Sequence, residues 1–195
     1  MITAKDSTQL VARGRRLEMA TLAWNVVGIV VLAVAAVSAR SVALAGFGLD
    51  SLIEIAASTV VLWELADTHQ RRQHTALHLI GWAFTTLALY LAAQSSIVLA
   101  VGYRPHHSTL GIVWTALTAV AMFALAAGKG RCGRALDNPV LLTESKVTTV
   151  DGILAAAVLA GLCLNAGLGW WWADPAAGYI FVFYGAKEAR HALTT

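Results

Sequence analysis

Charge is what this sequence has least of. Only 13% of its 195 residues are Asp, Glu, Lys or Arg, against roughly 25% in a soluble domain. With 58% hydrophobic residues and a mean hydropathy of +0.67, the chain reads as one solvated by lipid. It has two cysteines, Cys132 and Cys163, on separate segments and in no CxxC pair. That excludes a disulfide framework and a cysteine zinc knuckle. There is no HExxH, no GxSxG and no serine–histidine pair on one face, so no enzyme is expected. A cleavable signal is also lacking. Residues 1–16 are polar and basic, ending in Arg13, Arg15 and Arg16, and the apolar run that follows is about 20 residues, too long for a signal h-region. The net charge of +3 is no nucleic-acid signal; its placement is what informs. With loops under about 15 residues and seven residues after Glu188, no appended enzyme or nucleic-acid module is expected.

What is present is a series of apolar windows. A membrane span needs about 20 mostly apolar residues, and six windows qualify, at about 18–38, 41–65, 76–101, 109–128, 141–166 and 171–188. The expected fold is all-α and integral to the membrane. It comprises a cytoplasmic segment (1–16), a six-helix transmembrane domain (17–190) and a short tail (191–195). Ala39-Arg40 and Gly169 with the tryptophan run make the first and last pairs tight hairpins. Lys5, Arg13, Arg15, Arg16, Arg71, Arg72, Lys129, Arg131, Arg134, Lys187 and Arg190 then fall on one side, and only Arg40 and Arg104 on the other. By the positive-inside rule both termini are cytoplasmic. Trp63 and Trp82 near the inner boundary, and Trp170, Trp171 and Trp172 near the outer one, read as interfacial belts.

Acidic residues inside spans are the functional signal, because each costs about 2.5–3.5 kcal/mol on insertion scales. Asp50 and Glu54 in the second window are four apart and share a helical face. Like charges at that spacing repel, so a cation must sit between them or one must be protonated. Glu144 and Asp151 in the fifth window are about two turns apart on one stripe, with Thr148 between them. At 1.5 Å per residue, Asp50 lies roughly 14 Å below the outer boundary and Asp151 roughly 15 Å above the inner one, so both sit near the middle of a core about 30 Å thick. Glu54 and Glu144 continue the series towards the cytoplasm. No Lys or Arg is expected within the spans near Asp50, Glu54 or Asp151, while Lys146 is a candidate partner for Glu144. Such an oxygen-rich ladder suits a divalent cation, with spare carboxylates to carry protons in exchange.

At these residues the chain resembles the cation diffusion facilitator family. Residues 41–51, Ser-Val-Ala-Leu-Ala-Gly-Phe-Gly-Leu-Asp-Ser, are similar to that family's second-helix stretch. Asp50 then stands at its His/Asp position and Glu54 at its final Asp position. In the fifth helix Glu144 takes the first acid position, Val147 the histidine position and Asp151 the final Asp position. Trp172-Ala173-Asp174-Pro175 is similar to the family's start of the sixth helix, and Asn25 to a polar residue of its first. The resemblance implies six spans, a metal site between the second and fifth helices, and a homodimer. Two departures stand out. Val147 removes an imidazole ligand, for which Glu144 or Thr148 is the expected substitute. No stretch corresponds to the family's cytosolic metal-binding domain, which makes this a membrane-only branch.

The expected function is therefore a divalent metal transporter, for Zn or Mn, coupled to protons and exporting from the cytoplasm. It would need no cofactor and would reside in a bacterial cytoplasmic membrane. The alternative is a non-transporting scaffold or metal-binding partner with the same fold. Asn25 and Gln94 read as interhelical hydrogen-bonding residues. Gly46 and Gly48 read as close-approach positions, Cys163 as a packing residue, and Asp174 as the cap of its own helix. His106 and His107 read as solvated loop residues, and His69, His74 and His78 as residues that could recruit metal at the inner end of the third span.

Overall fold

The computed structural model describes residues 4–64 and 70–194, and every regular element among them is a helix. The six are α1 (Ala4–Ala39), α2 (Val42–Glu64), α3 (Gln70–Val101), α4 (Thr109–Leu136), α5 (Pro139–Leu168) and α6 (Ala173–Thr194). α1, α3, α4 and α5 each contain one expected span and overshoot it, α2 falls just inside the expected 41–65, and α6 starts two residues late and runs past 188. The basic segment from residue 4 is continuous with α1, and Lys129, Arg131 and Arg134 lie in α4 rather than in a loop. Hydrophobicity marks where a helix meets lipid, whereas the helix runs on until a cap stops it. For α4 that stop is Asp137, in the left-handed region at φ 49°, whose N–H reaches back to Arg134 and Gly133. Asn138 then caps α5 by accepting from the Leu141 N–H at 3.0 Å, with Pro139 at the first helical position. Gly169, at φ 68°, ends α5.

Among the described residues, four stretches have the length and composition to cross a membrane: Gln9–Ala39, Phe84–Val101, Thr109–Leu136 and Glu144–Leu168. The surface agrees with lipid as the solvent. Val26, Val27, Val30, Val34 and Val37 are exposed along α1, and Val113, Leu117 and Val120 along α4, while Glu18, Asp50, Glu54, Lys129, Glu144, Asp151 and Asp174 are buried. A soluble bundle has the opposite pattern. This is an all-helical, multi-pass membrane protein.

Buried positions recur every three or four residues. On α1 they run Gly14, Glu18, Thr21, Asn25, Gly28, Leu32, Ala35 and Ala39, the stripe expected of near-parallel helices packed knobs-into-holes. α1 packs against α2 and α4, α4 mainly against α5, and α3 mainly against α6. Small residues set the spacing. A Cβ on Gly46 would come within 2.8 Å of Leu91, and one on Gly133 would meet the Leu142 side chain at 3.0 Å and its backbone nitrogen at 3.1 Å. Gly46 is thus a close-approach position, as its sequence suggests. Trp24 stacks on Trp114 with centroids 5.1 Å apart and donates from Nε1 to Thr118 Oγ1 at 3.1 Å, tying α1 to α4.

At the end of the bundle where α3 gives way to α4, the connecting loop lies across its neighbours. The His106 N–H donates to Ala39 O at 2.9 Å, and Asn165 Nδ2 donates to Pro105 O at 3.1 Å. Ser41 and Asp174 meet there too. The Ser41 hydroxyl donates to Asp174 Oδ1, and Asp174 Oδ2 accepts from the N–H groups of Val42 at 3.0 Å and Ala43 at 3.4 Å. Asp174 therefore caps α2 from across the bundle, a correction to its assignment as the cap of α6. A free helix N-terminus presents unsatisfied N–H groups and positive potential, so a fully buried carboxylate is well placed there.

Candidate functional site

Eight polar residues line the interior of the α1, α2, α4 and α5 bundle: Glu18, Asn25, Asp50, Glu54, Lys129, Glu144, Thr148 and Asp151, all buried. Each occupies a core-facing position of its helix. They face inward because the alternative surface is hydrocarbon, where an ionisable group costs several kcal/mol.

The structure brings Asp50 and Glu54 of α2 together with Asp151 of α5. Asp151 faces both of the other carboxylates, and Asp50 faces Glu54. Among the described residues, no hydrogen-bond donor reaches either oxygen of Glu54 or of Asp151. Asn25 turns towards Glu54, but its Nδ2 makes no hydrogen bond. These buried acceptors therefore gather together with no hydrogen-bond donor on Glu54 or Asp151 among the described residues. That arrangement is unfavourable unless cations or protons are supplied.

Glu144 lies elsewhere on the ladder. Its Oε1 is 3.2 Å from Lys129 Nζ, which also approaches Glu18 Oε2 at 2.9 Å and donates to Thr148 Oγ1 at 2.9 Å. The Glu18 contact is an ion pair whose angle falls short of a hydrogen bond, and Glu18 Oε1 has no partner among the described residues. Lys146 is exposed, and Lys129 is the partner of Glu144. Lys129 is also near enough to Glu54 for the two charges to interact, so a cation does stand beside the acids, contrary to the expectation from sequence. Glu54 also interacts with Glu144 and Glu18. The two groups form one continuous polar interior with five carboxylates and one ammonium.

Sequence reasoning missed Glu18 and Lys129. Lys129 was assigned to a loop because the apolar window ends at Gly128. The signal for it is the Gly128, Gly130, Gly133 spacing, a small-residue pattern that continues a packed helix past the first charge. For Glu18 the signal is its place on the Glu18, Thr21, Asn25 stripe.

Other expected residues are placed as follows. His106 and His107 are exposed in the outer loop, and Cys163 is exposed rather than packed, while Cys132 is buried. Gln94 is half-buried on α3 and Trp82 is exposed. His69 and the side chains of Trp63, His74 and His78 lie outside the described residues. Among the described residues, no set of three His, Cys, Asp or Glu side chains is arranged as it stands to hold a metal ion. The mutual facing of Asp50, Glu54 and Asp151 is a matter of carboxylates gathered together, short of convergence on one point.

No family model matches the chain. It is similar to Transmembrane protein 163 of Xenopus laevis, with 23% identity over 118 residues. The match takes in 58% of this chain and 42% of the relative, so the chain spans less than half of that protein. The relative's name describes a membrane protein, in keeping with the helices and lipid-facing surface above.

Proposed function

We propose that this chain is a divalent metal cation transporter of the cation diffusion facilitator type, exporting Zn or Mn from the cytoplasm in exchange for protons. It has six spans, both termini in the cytoplasm, and works as a homodimer in a bacterial cytoplasmic membrane without a resident cofactor. One observation carries the reading. Asp50, Glu54 and Asp151 come from distant parts of the sequence, are buried together mid-bundle, and leave the oxygens of Glu54 and Asp151 without a donor among the described residues. Three carboxylates around a doubly charged ion leave one negative charge, which a proton can neutralise.

In this reading Asp50, Glu54 and Asp151 contact the cargo. Glu144 and Thr148, nearer the cytoplasm, are the first oxygens it meets and the place where protons are taken up. No imidazole is present at Val147, so selection favours oxygen-preferring ions over strict zinc geometry. The second reading, a non-transporting metal-binding or scaffold subunit, is favoured by the lack of a converged three-ligand set. Flux of Mn or Zn into proteoliposomes separates the two. Asp151→Asn should reduce flux to the empty-liposome level while the protein remains folded. Unchanged flux in that variant refutes the assignment, and metal binding without flux in the parent supports the second reading.

A further inference from the structure

Lys129 is enclosed as a bound cation would be. An ammonium has three N–H donors, and three oxygens surround this one: Glu18 from α1 at 2.9 Å, Glu144 from α5 at 3.2 Å and Thr148 from α5 at 2.9 Å. Lys129, Glu18 and Thr148 are fully buried. Lysine rarely enters a bundle interior without function, and one ammonium cannot balance this many carboxylates. Glu18 Oε1, which is buried and has no partner among the described residues, shows spare ligand capacity at the same spot. By helix rise, Glu18 is about 32 Å below the outer end of α1 and Lys129 about 30 Å below the start of α4. The ammonium therefore sits at the inner boundary of the membrane core, between the cytoplasm and Glu54.

We propose that Glu18, Glu144 and Thr148 form a cation-coordinating site that Lys129 fills as a tethered occupant, and that a divalent ion from the cytoplasm reaches Glu54 by exchanging with that ammonium. The exchange rests on the transport reading; the site itself does not. The exchange balances charge: while a doubly charged ion contacts Glu18 and Glu144, the tethered ammonium withdraws. The two carboxylates therefore never carry both cations, and the ammonium returns as the ion moves to Glu54.

The test is chemical rescue of Lys129→Ala in an Asp151→Asn background, where one of the three acids of the proposed transport site is removed. Reconstituted in nanodiscs, Lys129→Ala should melt roughly 10 °C lower than its Lys129 parent, as removal of one partner from a buried charge cluster implies. Ethylammonium chloride should recover at least half of that loss, and tetramethylammonium chloride, which has no N–H donor, none at equal ionic strength. Mn should bind with one ion more per protomer than in the parent, and Glu18→Gln added to Lys129→Ala should remove both effects. Equal behaviour of the two ammonium salts, or rescue that survives Glu18→Gln, overturns the proposal. So does failure of Lys129→Ala to accumulate as folded protein even with ethylammonium present throughout. Loss of rescue with intact Mn flux in the chain that keeps both Asp151 and Lys129 sinks only the tethered site, whereas rescue without any flux in that unsubstituted chain sinks only the transport reading.

Discussion

Removing the carboxylate of Asp174 should destabilise the protein more than any other single change at the outer end of the bundle. The side chain is fully buried and accepts from the Ser41 hydroxyl and the Val42 and Ala43 N–H groups. Asp174→Ala would leave three donors at a helix start without a partner. Hydrogen bonds to a charged group contribute about 1.5–3 kcal/mol each. Counting the two shorter bonds fully and neglecting the 3.4 Å bond gives a loss of about 3–6 kcal/mol. For a chain of this size, that is a fall in melting temperature of roughly 6–24 °C. Ser41→Ala removes one of the same bonds and also the Ser41 Oγ acceptor of the Leu44 N–H at 3.1 Å, so it should cost about 1–2 kcal/mol, like the loss of an N-cap. Because the two share a bond, the double variant should be less destabilised than the sum, by about 1 kcal/mol or more. Thermal unfolding in detergent, followed by fluorescence of the seven tryptophans, provides the assay. A shift under 2 °C for Asp174→Ala, or strict additivity with Ser41→Ala, would refute the cross-bundle cap.

Three further outcomes follow from the packing and the charges. Gly133→Ala should destabilise by about 1–3 kcal/mol, since its Cβ would press on the Leu142 backbone, whereas Gly167→Ala, with nothing within 4 Å, should be neutral or gain about 0.4–1 kcal/mol; equal melting temperatures would show that α4 and α5 are not in close contact there. Asp151→Asn, tested without metal, should melt higher than the parent, because it removes a like charge facing Asp50 and Glu54, while its flux is lost; a lower melting temperature would indicate an unseen cation on those acids. Compartment-sensitive reporters inserted at His106 and fused after Thr195 should report opposite sides of the membrane, and the same side for both would exclude an even number of spans with cytoplasmic ends.

Sequence alone reached the helices and stopped at their ends. Each apolar window overlaps one of the six helices, because the free energy of meeting hydrocarbon is written residue by residue. The limits of α1 and α4 were not legible that way, since a helix passing out of the membrane keeps its hydrogen bonds whatever the side chains. Spacing put Asp50 and Glu54, and likewise Glu144 and Asp151, on single faces. The depth estimate brought Asp50 and Asp151 to one level, where they face each other. The partner of Glu144 was a different matter. Lys146 is two residues away in sequence, but Lys129 reaches across from another helix, and a contact set by tertiary packing leaves no local trace. Asp174 taught the same lesson: its position at a helix start pointed to its own N–H groups, and the fold gave it those of α2 instead.

The Asp174–Ser41 link also bears on how such a bundle could move. Every residue of the polar interior belongs to α1, α2, α4 and α5, whereas α3 and α6 pack mainly on each other, with Ser96 Oγ 2.6 Å from the Tyr179 hydroxyl and Phe84 edge-on to Tyr184. The link fastens this two-helix leaf to the rest at the outer rim, like a hinge on one edge of a door. A swing of about 10° about that point would carry the far end of a 22-residue helix, about 33 Å away, through roughly 6 Å.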